Sequence, residues 1–167
     1  MRERIYKAII QRLKAHKVGV KYFSLWNNNV YYLTKQKGFR PPAVFIEFEP
    51  IQWRQLQNRT READVRIRLH IVTATLGTPE DGSKYQDKAL EFLSLIQRIN
   101  AAMQGLSGDG FKACMLVESV PDHDHEEIMH NEECFLTHVT DTSAQITPTI
   151  ATGVTGCHPR RKDNKNP

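Results

Sequence analysis

"ADVRIRLHIVTA", Ala63 to Ala74, decides how the chain folds. Ala63, Val65, Ile67, Leu69 and Ile71 alternate with Asp64, Arg66, Arg68 and His70. Successive side chains of a strand point to opposite faces, so a period of two means one packed face and one charged face. A sheet that hides one face only needs a cover on that face. The rest of the chain supplies it.

Upstream, "AVFIEFE" from Ala43 to Glu49 is a nearly continuous apolar run and predicts a buried strand. "QWRQLQNRTRE" between the two predicts a loop or a long hairpin tip. "VKYFSLWN" is rich in aromatic and β-branched residues and predicts a strand. "NNN" at 27–29 signals a turn, and "VYYL" is a second short strand candidate. "KGFRPP" is a connection, since tandem prolines cannot continue a ladder.

Two helices flank these strands. Ile5, Ile9 and Leu13 recur every four residues over roughly 2–16, with Arg and Lys elsewhere, and Gly19 follows. Ser83 with Gln86 fits a capping box. Leu90, Phe92, Leu93, Leu95, Ile96, Ile99 and Met103 then form a broad apolar stripe that ends at Gly105 and Gly108. "KACMLVESV" and "ECFLTHVTD" predict two more strands. The expectation is one α+β domain over 1–150, an antiparallel or mixed sheet with two helices on one face. Residues 151–167, rich in Thr, Gly, Pro and charge, are expected to be a flexible basic tail.

Composition narrows the function. The chain has 167 residues, 40% hydrophobic and 25% charged, which suits one soluble domain with its own core. No run approaches the roughly 18 apolar residues of a membrane span, and "MRERIYKAIIQRLKAHK" has no apolar signal core. Cys114, Cys134 and Cys157 are odd in number and widely spaced, which predicts a reducing compartment and no disulfide framework. Most of the net charge of +4 sits in "HPRRKDNKNP" at the end, so there is no broad basic face for nucleic acid.

The stretch "VPDHDHEEIMHNEECF", Val120 to Phe135, holds three of seven histidines, six acids and a cysteine. His125 and His130 are five apart. On a helix they would diverge by about 140°, so the zinc-hydrolase pairing, which needs a spacing of four, is not met. His123 and His125 would share a face of a strand, which gives at most a two-ligand surface site open to adventitious nickel or zinc. The expectation is a solvated polar connection between two strands, with no metal, no cofactor and no catalytic residue. There is no G-x-S-x-G elbow, no glycine-rich phosphate loop and no C-x-x-C. Cys114 and Cys134 are expected in the core, and His70 on the charged face as a solvated or interface group.

The arginines leave two readings open: an ordinary solvated surface, or a subunit contact. Arg54, Arg59 and Arg61 sit on the middle loop, and Arg66 and Arg68 line the outward strand face. Trp53 among them has the composition of an interface hot spot or of a core anchor. The acidic groups Asp122, Asp124, Glu126 and Glu127 could face this basic stripe across a subunit boundary.

Taken together, "PPAVFIEFEPIQW", "RIRLHIV", "KALEFLSLIQRINAAMQGL" and "DHDHEE" before a last strand resemble the small tail-completion proteins encoded in prophages. These are similar in layout to the tail terminators of long-tailed bacteriophages. The resemblance covers roughly residues 1–145 and rests on pattern, with no catalytic signature and no residue to carry over. It implies an α+β fold and a structural virion role. A homo-oligomer, six copies in a ring, would cap the head-proximal end of the tail tube, stop its growth and allow head–tail joining. The implied partners are the tail tube protein and the connector or neck proteins, with DNA only passing through the ring. The implied location is the virion tail, assembled in the host cytoplasm. Two alternatives stand beside it: another head–tail connector, or a small metal-dependent hydrolase built on 123–134.

Overall fold

The computed structural model describes residues 1–27, 40–74, 80–84, 86–122 and 128–146, with backbone only at 88 and 89. Helix α1 runs Arg2–Ala15. Its every-fourth apolar residues Ile5, Ile9 and Leu13 are fully buried. Lys17 and Gly19, both at positive φ, turn the chain out of it. Helix α2 is Gln86–Met103, beginning three residues after the Ser83 that the capping pattern suggested. Gly105 at φ 77 ends it, and its N–H donates to the Cys114 carbonyl at 2.9 Å. Arg12 Nε donates to the Ala102 carbonyl at 2.9 Å, joining α1 to the last turn of α2, where a cation also suits the helix dipole.

The strands are β1 (Tyr22–Leu25), β2 (Ala43–Phe48), β3 (Arg54–Gln55), β4 (Arg61–Ala74), β5 (Met115–Asp122) and β6 (Ile128–Asp141). They form one mixed sheet in the order β1-β2-β4-β6-β5, with β3 hairpinned onto β4. β1 and β2 are parallel and the other pairs antiparallel. The α+β reading is therefore correct. β4 and β6, of 14 residues each, pair along their whole length from Arg61↔Asp141 to Ala74↔Ile128.

Ile67, Leu69 and Ile71 meet α1 and α2 together with Val44, Ile46, Phe135, Ile99 and Met103, all 0–1% exposed. Removing one such side chain costs about 2–5 kcal/mol. The partner residues in register share the other face. Three rows cross it: Glu47, Arg68, Cys134, Glu118; then Phe45, His70, Glu132, Val120; then Ala43, Val72, His130, Asp122. Pro121 sits in β5, a sheet edge, where a missing N–H breaks no second ladder.

One expectation is corrected here. Val120–Phe135 is not one polar connection, because β5 continues to Asp122 and β6 starts at Ile128. Pairing with the full length of β4 extends β6 upstream of Glu133, which local composition alone does not favour. His130 is thereby a strand residue, 3% exposed. Residues 123–127, the candidate strand at 30–33 and the tail at 151–167 lie outside the described residues. Among the described residues no helix is long and apolar enough to cross a membrane.

Candidate functional site

The face of the sheet away from the helices carries two adjoining clusters. The first is built on arginine. Arg68 Nη2 donates to Glu49 Oε1 at 2.6 Å and to Glu118 Oε2 at 3.1 Å, and Nη1 donates to Glu132 Oε2 at 2.8 Å. Arg66 reaches Glu49 Oε2 at 3.0 Å and Glu118 Oε2 at 2.9 Å. Burial alone would raise the Glu49 carboxyl, but the Arg68 hydrogen bond and charge outweigh it and hold the group below its ordinary value. Burial likewise disfavours the Arg68 cation, and its bonds to Glu49 and Glu132 overturn that and raise it. Cys134 lies beneath, fully buried, its Sγ 3.7 Å from Glu49 Oε1. Burial and the Glu49 charge push this thiol up, so it is not a thiolate near neutral pH. Glu49, Glu118 and Cys134 come close enough to share an ion. Their carboxylates are already matched by two arginines, and the sulfur keeps its proton.

The second cluster is built on histidine. His70 Nε2 lies 3.0 Å from Glu47 Oε2, and His130 Nδ1 lies 2.6 Å from Asp122 Oδ2. The remaining ring nitrogens, His70 Nδ1 and His130 Nε2, face each other at 3.1 Å. Glu132 Oε1 is 3.4 Å from His70 Nδ1. Trp26, just past β1, stacks flat on His70 with centroids 3.7 Å apart and planes 5° apart. It also lies 5.7 Å from the His130 ring and 6.1 Å from Phe45. Ala43, Phe45, Val72 and Ile128 form a small apolar patch on the same end of the face. Together these hold both imidazoles out of water, at 2–3% exposure. Burial is the main reason the His70 ring is depressed to about 4.

His70 is thus corrected from a solvated or interface group to a buried one, because an aromatic just past β1 and a carboxylate from β2 close over it. Asp122 bonds a histidine of its own chain. Arg66 and Arg68 meet acids of their own chain, so the basic stripe is largely neutralised within one subunit. Arg54 pairs with Glu62. Arg61 pairs with Asp141 at 2.8 Å and lies 4.6 Å over the Trp53 ring. Trp53 is half-buried and packs on the main core, so the core-anchor reading fits it. Arg59 is exposed on the hairpin turn at φ 59. Asp124, Glu126 and Glu127, with His123 and His125, lie outside the described residues. Cys114 is buried as expected, its thiol pushed up to about 11 by burial.

Sequence reasoning missed Trp26, Glu47, Glu49, Glu118 and Glu132. A signal existed for three of them. Glu47 and Glu49 alternate out of the β2 core face, and His130, Glu132 and Cys134 repeat with period two. A separate cleft of about 300 Å³ at the end of the sheet is lined by Lys21, Pro42, Thr73, Glu91, Leu95 and Arg98 among others. Its described lining contains no histidine or cysteine. In comparison with known proteins, no family model matches the chain and no curated protein is detectably similar to it.

Proposed function

We propose that this chain is a structural subunit of a bacteriophage, or phage-like, tail, forming a ring at the head-proximal end of the tube. The ring ends tube growth and offers a surface for head joining. The sequence resemblance names the machine. The observation that carries self-assembly is strand β5. Among the described residues it is the last strand of the sheet, with one side paired to β6, and Met115, Leu116, Val117 and Val120 on it are 52, 37, 44 and 37% exposed. An unpaired edge carrying apolar side chains is a template for another chain, and proteins that stay monomeric blunt such edges. A head-to-tail contact through one edge closes into a ring when its rotation closes. No catalytic role is part of this reading.

The test is native mass and sedimentation of the full chain, alone and with its tail tube protein. A closed oligomer, six copies on this reading, that caps tube growth is expected. Val117→Lys with Val120→Lys should give a folded monomer, since both side chains are exposed. A wild-type chain that stays monomeric and does not bind tube overturns the proposal.

A further inference from the structure

We propose that His70 Nδ1, His130 Nε2 and Glu132 Oε1 bind one divalent transition-metal ion of the zinc class, with Glu47 and Asp122 orienting the two rings. Of its residues only Asp122 belongs to β5, and the site stands whether or not the chain assembles into a ring. It departs from the sequence expectation of no metal, which weighed His130 with His123 and His125 and left His70 on a solvated face.

The convergence of three ligand atoms carries the inference. An ionised carboxylate only accepts, so Glu47 takes the Nε2–H of His70, and Asp122 takes the Nδ1–H of His130. A neutral imidazole has one N–H. The inner nitrogens, His70 Nδ1 and His130 Nε2, face each other across 3.1 Å, Glu132 Oε1 is 3.4 Å from the first, and the three atoms all lie within 4.8 Å of one another. A metal ion uses all three donors at once.

The spacing fits. Donors about 2.0–2.1 Å from a tetrahedral ion lie roughly 3.3 Å apart. The observed 3.1 and 3.4 Å bracket that value. The outer contacts fit as well. Metal-bound histidines usually give their other N–H to a carboxylate, which sets the tautomer and the ring angle. Glu132 is steadied in the same way, because its Oε2 accepts from Arg68 Nη1 at 2.8 Å and leaves Oε1 toward the rings. Two imidazoles and one carboxylate favour zinc, cobalt or nickel over magnesium or calcium, which prefer oxygen donors throughout.

The experiment uses the full chain, freed of metal by chelator dialysis and then titrated with zinc(II), cobalt(II) and magnesium(II). The expected result is one zinc per chain, a melting temperature that rises with zinc and not with magnesium, and a visible ligand-field band with cobalt. His130→Gln should abolish the band. Asp122→Asn and Glu47→Gln should weaken zinc by about 10–100-fold and fold normally in chelator. His123→Ala with His125→Ala should bind zinc as wild type does. Should His130→Gln not fold, the two carboxylate variants and the wild-type cobalt spectrum decide the matter. The proposal is overturned by wild-type protein that takes up no stoichiometric zinc. It is equally overturned by affinity that survives His130→Gln, or that disappears with His123 and His125.

Discussion

The arginine cluster and the histidine cluster sit side by side on one sheet face, sharing Glu132, yet they settle their charges in opposite ways. Around Arg68 each carboxylate meets a guanidinium and each guanidinium meets at least two carboxylate oxygens. That set is complete within one chain. Around His70 the outer nitrogens are satisfied and the inner ones oppose each other. That set brings three ligand atoms, from His70, His130 and Glu132, within 4.8 Å of one another. Composition does not separate them, since both are basic side chains among acids on the same sheet face. Guanidinium is a permanent cation with five donors, whereas imidazole can be neutral and offer a lone pair. That chemical difference makes one cluster structural and the other a ligand set.

The largest expected effect breaks the first cluster. Arg68→Ala removes the cation common to Glu49, Glu118 and Glu132, and leaves those acids to repel one another over a buried cysteine. Removing one partner of a buried ion pair costs roughly 3–5 kcal/mol. The Arg68 side chain is 18% exposed, so about 2–4 kcal/mol is expected, read from urea unfolding midpoints. The loss should also slacken the second cluster, because Glu132 is freed. A loss below about 1 kcal/mol would show that the network is surface decoration.

A smaller effect comes from pH. Glu49 is held below its ordinary carboxylate value and Asp141 is held at about 2, chiefly by the Arg61 hydrogen bond. For a depressed carboxyl the stabilisation is complete above the unfolded-state value and fades as pH falls through the folded value. The window is therefore about pH 4 down to 2. Asp141→Asn should cost about 1–2 kcal/mol at pH 7 and flatten the acid limb of the stability curve in that window. An acid limb unchanged by the substitution would remove the Arg61 pair from the account.

The helix-facing half of the sheet was legible and the other half was not, for a physical reason. Burial against helices selects apolar residues, so Val65, Ile67, Leu69 and Ile71 announce their face by period two. Burial under Trp26, or within ion pairs, selects polar residues, and these look like a solvated surface. His70 gave no composition signal for its burial, whereas Cys134, expected in the core, is buried. The Trp26 stack depends on parallel pairing of β1 with β2, and His130 depends on the long β4–β6 ladder. Both are non-local, so nothing adjacent in sequence encodes them. The β3–β4 hairpin, by contrast, is local, and its loop was expected.

The smallest expected effect tests where subunits meet. Arg66 is the outward member of the arginine cluster, 43% exposed, and its partner Glu118 is 42% exposed. Exposed ion pairs are worth about 0–1 kcal/mol. Arg66→Gln keeps a donor and the aliphatic stem and removes the charge, so stability should fall by no more than about 1 kcal/mol. Reversing Arg66 and Arg68 together would be a poor probe of assembly, because Arg68 holds the fold and its loss would mimic a broken interface. Arg66→Gln avoids that confusion. If β5 is the contact, this variant should sediment like wild type at low and high salt, whereas Val117→Lys with Val120→Lys should not. If the basic face is the contact, Arg66→Gln should weaken assembly and make it more sensitive to salt, since screening acts over roughly 8 Å at physiological ionic strength. Sedimentation of the two variants side by side therefore assigns the interface to the apolar edge or to the charged face.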